Sequence, residues 1–329
     1  MSRYRMECAT LLAAALCAWL VTACPPEGED ERDYREDMRG FVENIAAYAR
    51  ATDADFIVVP QNGEALLTGD GTGDGVLSDA YVAAIDGQGR EDLFYGYEQD
   101  NTPTPASERD AMLALLDLAE DQGIEALITD YCWTNAYVDN SCAWAASRGF
   151  ISFAANHRDL DSIPPYPAAP YNVHAGDIAL LSDARNFLYV LDPNAFASRS
   201  AYLDAIANTN YDLLIIDLFF DETALTPQEL ASLKSKANGG ARLVLCYMSI
   251  GEAEDYRYYW QPGWSVGNPA WLEAENPDWE GNYKVRYWEP GWQAVIYGGP
   301  GAYLDRILAA GFDGVYLDII DAYEYFEAR

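Results

Sequence analysis

Seven carboxylates stand at or just past the ends of short apolar runs: Glu64 after FIVVPQNG, Glu98 after LFYGY, Asp130 in LITD, Asp192 after LYVL, Asp217 in LIID, Glu252 after YMSIG and Asp318 in VYLD. Acidic side chains that converge from strand ends have two chemical uses. One is cleavage of a glycosidic bond, in which one carboxylic acid protonates the leaving oxygen and a second carboxylate acts as nucleophile or base, about 5 Å away for retention and roughly 6.5 to 9.5 Å for inversion. The other is a divalent cation held by oxygen ligands alone. Tyr247, Trp260, Trp264, Trp271, Tyr287 and Trp288 offer flat apolar faces of the kind that pack on pyranose rings, although each is also ordinary core material. Acidic residues after strands serve as helix caps as well. Seven of them at the ends of otherwise apolar runs point to a shared face.

The elements that must position these residues are legible as repeated βα units. The apolar runs lie at 56–61, 92–97, 126–131, 149–155, 186–191, 213–218, 242–250, 284–288 and 314–320, nine where a barrel needs eight. Between them, REDMRGFVENIAAYARA repeats apolar residues at helical spacing, and ERDAMLALLDLAEDQG and TPQELASLKSKANGG each carry an acid within their first four residues and end in glycine. The expected fold is α/β, a (β/α)8 barrel, whose strand ends all meet on one face. The stretch DSIPPYPAAPYNVHAGD carries four prolines and no periodicity, and so reads as a linker near the middle of the chain.

Half of the 329 residues are apolar, with 9 Trp and 24 Tyr, enough for one large core. The formal net charge of −33 makes nucleic acid an unsuitable partner, because phosphates would be repelled over most of the surface; a cationic substrate would be attracted. Arg3 and Arg5 precede an apolar run that ends in Val21, Thr22, Ala23 and Cys24. This is the pattern of a signal peptide over residues 1–23 with Cys24 as a lipidation site, followed by a tether over 24–33 and an exported, membrane-anchored protein. Cys132 and Cys142 are close enough to staple a loop, and Cys246 falls inside a strand pattern. With only His157 and His174 and no C-x-x-C pair, a zinc site is not expected, and neither is another metal or a cofactor. GDGTGDGVLSD resembles a calcium loop through Asp70, Thr72 and Asp74 but has Tyr81 where the closing glutamate would stand, and it reads as a turn.

The segments VLCYMSIGEAEDYRYYW, NPDWEGNYKVRYWEPGW, GFDGVYLDIIDAYEYF, FIVVPQNGE and GREDLFYGYE resemble glycoside hydrolase family 114, the endo-α-1,4-polygalactosaminidase family, in its bacterial and archaeal branch. The resemblance covers nearly all of 34–329 and implies a (β/α)8 barrel and a retaining two-carboxylate hydrolase of an amino-sugar polysaccharide. The order is rotated, however: 186–329 resembles the family's first half and 34–161 its second, with residues 162–185 as the linker joining them. The chain therefore reads as one circularly permuted barrel. The family's catalytic aspartate closes the DG-x-x-x-D strand and maps onto Asp318, the expected nucleophile; its glutamate maps onto Glu98 as acid/base, with Glu64 and Glu252 as competitors. Asp217, Tyr247, Glu252, Glu254, Arg257, Arg286, Trp288, Glu64, Asp130 and Asp321 are expected to hold substrate hydroxyls or an amino group, and Asp255 joins them in SIGEAEDYR. Glu254 and Arg257, three apart, also read as a helix-surface ion pair. DGVYLDII departs from the DGVEPDN version of fungal members, which leaves the polymer open. The competing class is a non-catalytic carbohydrate-binding lipoprotein on the same scaffold.

Overall fold

A computed structural model describes residues 32–329, of which Tyr34–Arg329 form one unit. Seven of the nine expected runs, together with the strand Gly87–Glu91, run parallel in two sheets. The five-stranded sheet has the spatial order Ile57–Pro60, Gly314–Asp318, Leu243–Ser249, Leu213–Ile216, Phe187–Val190. The three-stranded sheet has the order Gly87–Glu91, Glu125–Tyr131, Ile151–Ala155. Their edges meet at two single parallel bridges, Gln61 with Gly89 and Ser152 with Asn186. The fold is therefore mixed α/β with parallel sheets, and its central strands are continuous buried runs such as LVLCYMS and LLII, as expected where helices cover a sheet.

Helices precede the strands they pack on. Tyr34–Arg50 buries Met38, Phe41, Val42, Ile45, Ala46 and Ala49 on one stripe, the i, i+3, i+4 spacing read from the sequence. Ala106–Asp121 and Asn135–Ser147 lead into Glu125–Tyr131 and Ile151–Ala155. The interval from Ala155 to Phe187 is the exception, with a single 3-10 turn at Leu181–Asp183 in place of a helix. This proline-rich segment buries Ile178 and Leu181 in the core and is held by hydrogen bonds as well. Lys236 Nζ donates to Gly176 O at 2.7 Å and to Asp212 Oδ1 at 2.8 Å, and Asn186 Nδ2 donates to Tyr171 O at 2.8 Å. Both charges of the Lys236–Asp212 pair are buried, so losing either partner would strand the other in the core.

Two strand expectations need correction. The run at 92–97 is a loop; the strand is Gly87–Glu91, GQGRE, whose glycines and charges conceal it. The glycines are there because of close approach. A Cβ on Gly89 would collide with the phenol of Tyr316, and one on Gly87 would meet Leu181 Cδ2 at 2.9 Å and Glu125 O at 3.0 Å. The run at 284–288 is the surplus ninth strand: Asn282–Val285 lies in a separate antiparallel sheet between Glu252–Glu254 and Leu272–Glu275. Cys132 and Cys142 are buried free thiols, so the loop they flank is not stapled.

Gly40 and Gly89 should respond in opposite directions to alanine. Gly40 sits inside the Tyr34–Arg50 helix with open space around its Cβ position, so Gly40→Ala should stabilise by roughly 0.5–1 kcal/mol. Gly89→Ala forces a Cβ into the Tyr316 ring and should destabilise by about 1–3 kcal/mol. Thermal unfolding of the two variants against the parent checks both signs; equal melting temperatures would mean that the two sheets do not close on each other at Gly89.

Candidate active site

Asp318, Gln61 and Glu91 each lie at or just past the C-terminal end of a parallel strand, and the pairing register brings them together. Pro60 pairs with Leu317, which sets Gln61 beside Asp318; the bridge from Gln61 to Gly89 then aligns it with the strand that ends at Glu91. Gln61 Nε2 is 3.1 Å from Asp318 Oδ1 and 2.9 Å from Glu91 Oε2, so these two carboxylate oxygens are no more than about 6.0 Å apart, the sum of the two distances. Each acid has further donors. Tyr247 Oη donates to Asp318 Oδ2 at 2.7 Å, Asn62 Nδ2 to Glu91 Oε2 at 2.7 Å and Tyr131 Oη to Glu91 Oε1 at 2.5 Å. Tyr189 Oη in turn donates to Gln61 Oε1 at 3.2 Å, which fixes the amide with its nitrogen toward the acids.

The residue after each of these three side chains adopts a left-handed backbone: Asn62 at φ 62°, Asp92 at φ 60° and Ile319 at φ 58°. For a β-branched residue such as Ile319 this is a true outlier, and three together at one site mark stored strain of the order of 1–3 kcal/mol each. The turns point the carboxylates into a cleft of about 620 Å³, lined by nine carboxylates and two guanidinium groups, Arg158 and Arg257. Arg158 stands 4.1 Å over the ring of Tyr131 and pairs with Asp92 and Asp100, so it steadies the phenol that holds Glu91.

Of the residues singled out in the sequence, Asp318, Asp217, Tyr247, Glu252, Glu254, Arg257, Asp192 and Asp321 line this cleft. Arg257 is clamped between Asp217 and Glu254, both at 2.6 Å; the pair with Glu254 exists, but buried beside the cleft and not on a helix surface. Glu252 accepts from Asn276 and Lys284. Five others are elsewhere. Glu98 is exposed on the loop after Gly87–Glu91 and takes no part in the cleft wall, because the strand ends at Glu91, before the apolar run begins. Glu64 is buried against Arg90 at 3.0 Å. Asp130 accepts from the backbone of Phe94 and Tyr95 and from Ser141, organising the loop after Glu91. Arg286 binds Glu273, and Trp288 packs on Tyr34 and Phe326, both at the antiparallel excursion. The sequence reading missed Glu91, Gln61, Asn62, Tyr131, Arg158 and Tyr189; the signal available was the polar GQGRE, whose charge pattern argued against a strand. Cys24 and the leader lie outside the described residues, and no helix among the described residues is long and apolar enough to cross a membrane.

Burial, with the Glu91 charge second, pushes Asp318 up to about 8, so at neutral pH the acid pair holds a proton. Burial also pushes Asp321 up to about 6, assisted by Glu324. Arg257 is disfavoured by burial, but Asp217 and Glu254 outweigh that and leave it well above its ordinary value. Among the described residues, the cluster with the spacing of cation ligands is His157, Asp159 and Asp161, whose ligand atoms lie within 4.8 Å of one another. Three donors fall short of the four of a structural zinc or the six or more oxygens of calcium, and the cluster reads as the His157–Asp161 contact at 3.2 Å with a neighbouring acid.

Residues 174–328 match the model of glycoside-hydrolase family GH114. The chain is also similar to three uncharacterized proteins. One from Deinococcus radiodurans is 47% identical over 127 residues, 39% of this chain and 39% of that protein. MJ1477 of Methanocaldococcus jannaschii is 43% identical over 135 residues, 40% and 37% of the two chains, and one from Thermotoga maritima is 36% identical over 121 residues, 37% and 36%. The matches thus span about two fifths of the length of these curated relatives.

The raised Asp318 has a consequence for stability. Its folded value lies above the unfolded one, so the folded state binds the extra proton between about pH 4 and 8 and loses stability as pH rises through that window. Asp318→Asn removes the effect. The variant should melt higher than the parent at pH 8, with the gap closing by pH 4; a gap independent of pH would mean that Asp318 is not held protonated.

Proposed function

Residues 174–328 carry the domain of glycoside-hydrolase family GH114, and from that premise we propose that the protein is a retaining glycoside hydrolase of an amino-sugar polysaccharide, with Asp318 and Glu91 as its catalytic carboxylates. The observation that carries this is Gln61 Nε2 bonded to both acids, which holds their oxygens within about 6.0 Å and favours the spacing of retention over that of inversion. Asp318 is the nucleophile, the role implied by the family resemblance, and Glu91 takes the acid/base role that the sequence reading gave to Glu98. In the empty cleft the proton rests on Asp318. A substrate that brings positive charge to the floor of the cleft favours the ionised aspartate, and Glu91 is the acid placed to deliver a proton to the leaving oxygen. Attack of Asp318 on the anomeric carbon forms a glycosyl ester as the leaving oxygen takes the proton, and water, deprotonated by Glu91, releases the sugar.

Nine carboxylates against two guanidinium groups decide the sign of the substrate: a hexosamine ammonium is attracted and a uronic acid repelled. The scaffold in this reading is a single (β/α)8 barrel, the two parallel sheets being joined at the Gln61–Gly89 and Ser152–Asn186 bridges into a ring of eight strands. The permuted order is supported by the contact between the two ends of the described chain, where Arg35 pairs with Glu327 at 2.9 Å and its guanidinium lies 4.8 Å over Tyr323. Export with lipidation at Cys24 remains part of the proposal, carried by the leader sequence alone.

The test is reducing-end release from α-1,4-linked galactosamine polymers by the purified chain. Asp318→Asn and Glu91→Gln should each lower kcat/KM by at least about a thousandfold, whereas Glu98→Gln should leave it within about twofold. Activity that survives in Glu91→Gln but is lost in Glu98→Gln would reverse the assignment. The profile of kcat/KM should be a bell whose alkaline limb falls about tenfold per pH unit above about pH 8, where the pair gives up its last proton. A folded protein that binds these polymers with no release would be a binding protein on the same scaffold.

A further inference from the structure

Beside the cleft lies a second cavity of about 450 Å³, and the two share a wall made of Phe219, Asp221, Tyr256 and Arg257. Two connections build it: the turn after Leu213–Ile216, and the segment that follows Glu252–Glu254. Its aromatic faces are fixed from behind. Trp260 is set edge-on to Trp264 at 5.3 Å and tilted on Tyr283 at 5.1 Å. Tyr258 donates to Gly301 O at 3.1 Å, with Arg306 3.6 Å over its ring. Tyr256, on the shared wall, leaves 58% of its surface exposed while its hydroxyl is tied to Glu254. Around these rings stand Asp221, Glu222 and Asp255, all exposed.

We infer that this second cavity is a saccharide subsite for the hexosamine units that follow the one held at Asp318 and Glu91. The inference rests on the glycosidase reading for its substrate class and adds where the chain runs. A polymer leaving the cleft on this side passes over Phe219 and Tyr256, because those residues belong to both cavities. Beyond them it meets preorganised flat faces with carboxylates at their edge, the complement of a sugar that presents C–H groups on one side and an ammonium at its rim. Bond cleavage is complete within the first cavity, so the second contributes affinity for longer chains and nothing to the chemical step. Chain-length dependence of KM is its signature.

The variant for the test is Glu222→Gln with Asp255→Asn. Both residues line only the second cavity, and both changes keep size and hydrogen-bonding capacity. Steady-state kinetics of the full chain are measured on α-1,4-linked galactosamine oligomers of increasing length, with an N-acetylated long oligomer as the uncharged control. For the long cationic oligomers KM should rise about tenfold at unchanged kcat, the loss expected for one or two charge-assisted contacts near solvent. The shortest cleaved oligomer and the N-acetylated control should be unaffected, and turnover of the former also certifies the fold. A parent that cleaves, with a variant whose KM changes equally at every length or at none, overturns the subsite and leaves the glycosidase standing. A parent that neither cleaves nor binds any of these oligomers in calorimetry removes the glycosidase reading, and the subsite with it.

Discussion

One amide nitrogen, Nε2 of Gln61, touches both acids of the cleft, and the geometry of the two sheets serves that contact. Gln61 and Asp318 come from neighbouring strands of the five-stranded sheet, while Glu91 ends a strand of the other. They can meet only where the sheets abut, at the Gln61–Gly89 bridge. That bridge requires residue 89 to have no side chain, because the Tyr316 ring fills the space in front of it. A glycine in an unpromising strand thus sets the separation of two carboxylates on the other side of the backbone.

Holding two acids together away from water is unfavourable, and the structure shows where that is offset. Asp318 and Glu91 accept five hydrogen bonds from four side chains, with Gln61 counted once for each acid. Charge-assisted bonds of this kind are worth roughly twice a neutral one, so they hold the geometry without removing the repulsion. Burial first, and the repulsion from Glu91 that is left second, appear as the proton retained by Asp318 up to about pH 8. The left-handed residues at 62, 92 and 319 add backbone strain at the same three points. A large continuous core beneath, from Met38 to Phe326, holds these turns in place.

The strands with strong β-branched or aromatic patterns were legible from sequence, as were the helix Tyr34–Arg50 and the end-of-strand acids Asp217 and Asp318, because burial on both faces leaves an uninterrupted apolar run. Gly87–Glu91 was not. Its glycines answer to Leu181 and Tyr316, which are distant in sequence, and of its last two residues Arg90 pairs with the buried Glu64 while Glu91 carries a charge that belongs to the site. Reading the apolar LFYGY as the strand moved the expected acid from Glu91 to Glu98 and left out Tyr131, whose hydroxyl contact is meaningful only once Glu91 is in place. The surplus run at 284–288 misled in the opposite sense: its alternation is genuine, but it pairs with Glu252–Glu254 in a small antiparallel sheet.

That small sheet explains why so many acids can share one cleft. Glu252 and Glu254 extend from it toward Asp318, and left bare they would add two charges to a site already burdened. Instead Lys284, Asn276 and Asn282 face Glu252, and Arg257 bridges Glu254 to Asp217. These contacts neutralise the upper wall while the floor keeps its unneutralised pair. Charge is therefore graded across the cleft, compensated at Glu252, Glu254 and Asp217 and left to the shared Gln61 amide and its neighbours at Asp318 and Glu91. For the glycosidase proposed above, a wall of unpaired acids would bind a cationic polymer just as strongly before reaction as during it, whereas acids left uncompensated only at Asp318 and Glu91 would spend their attraction on the transition state.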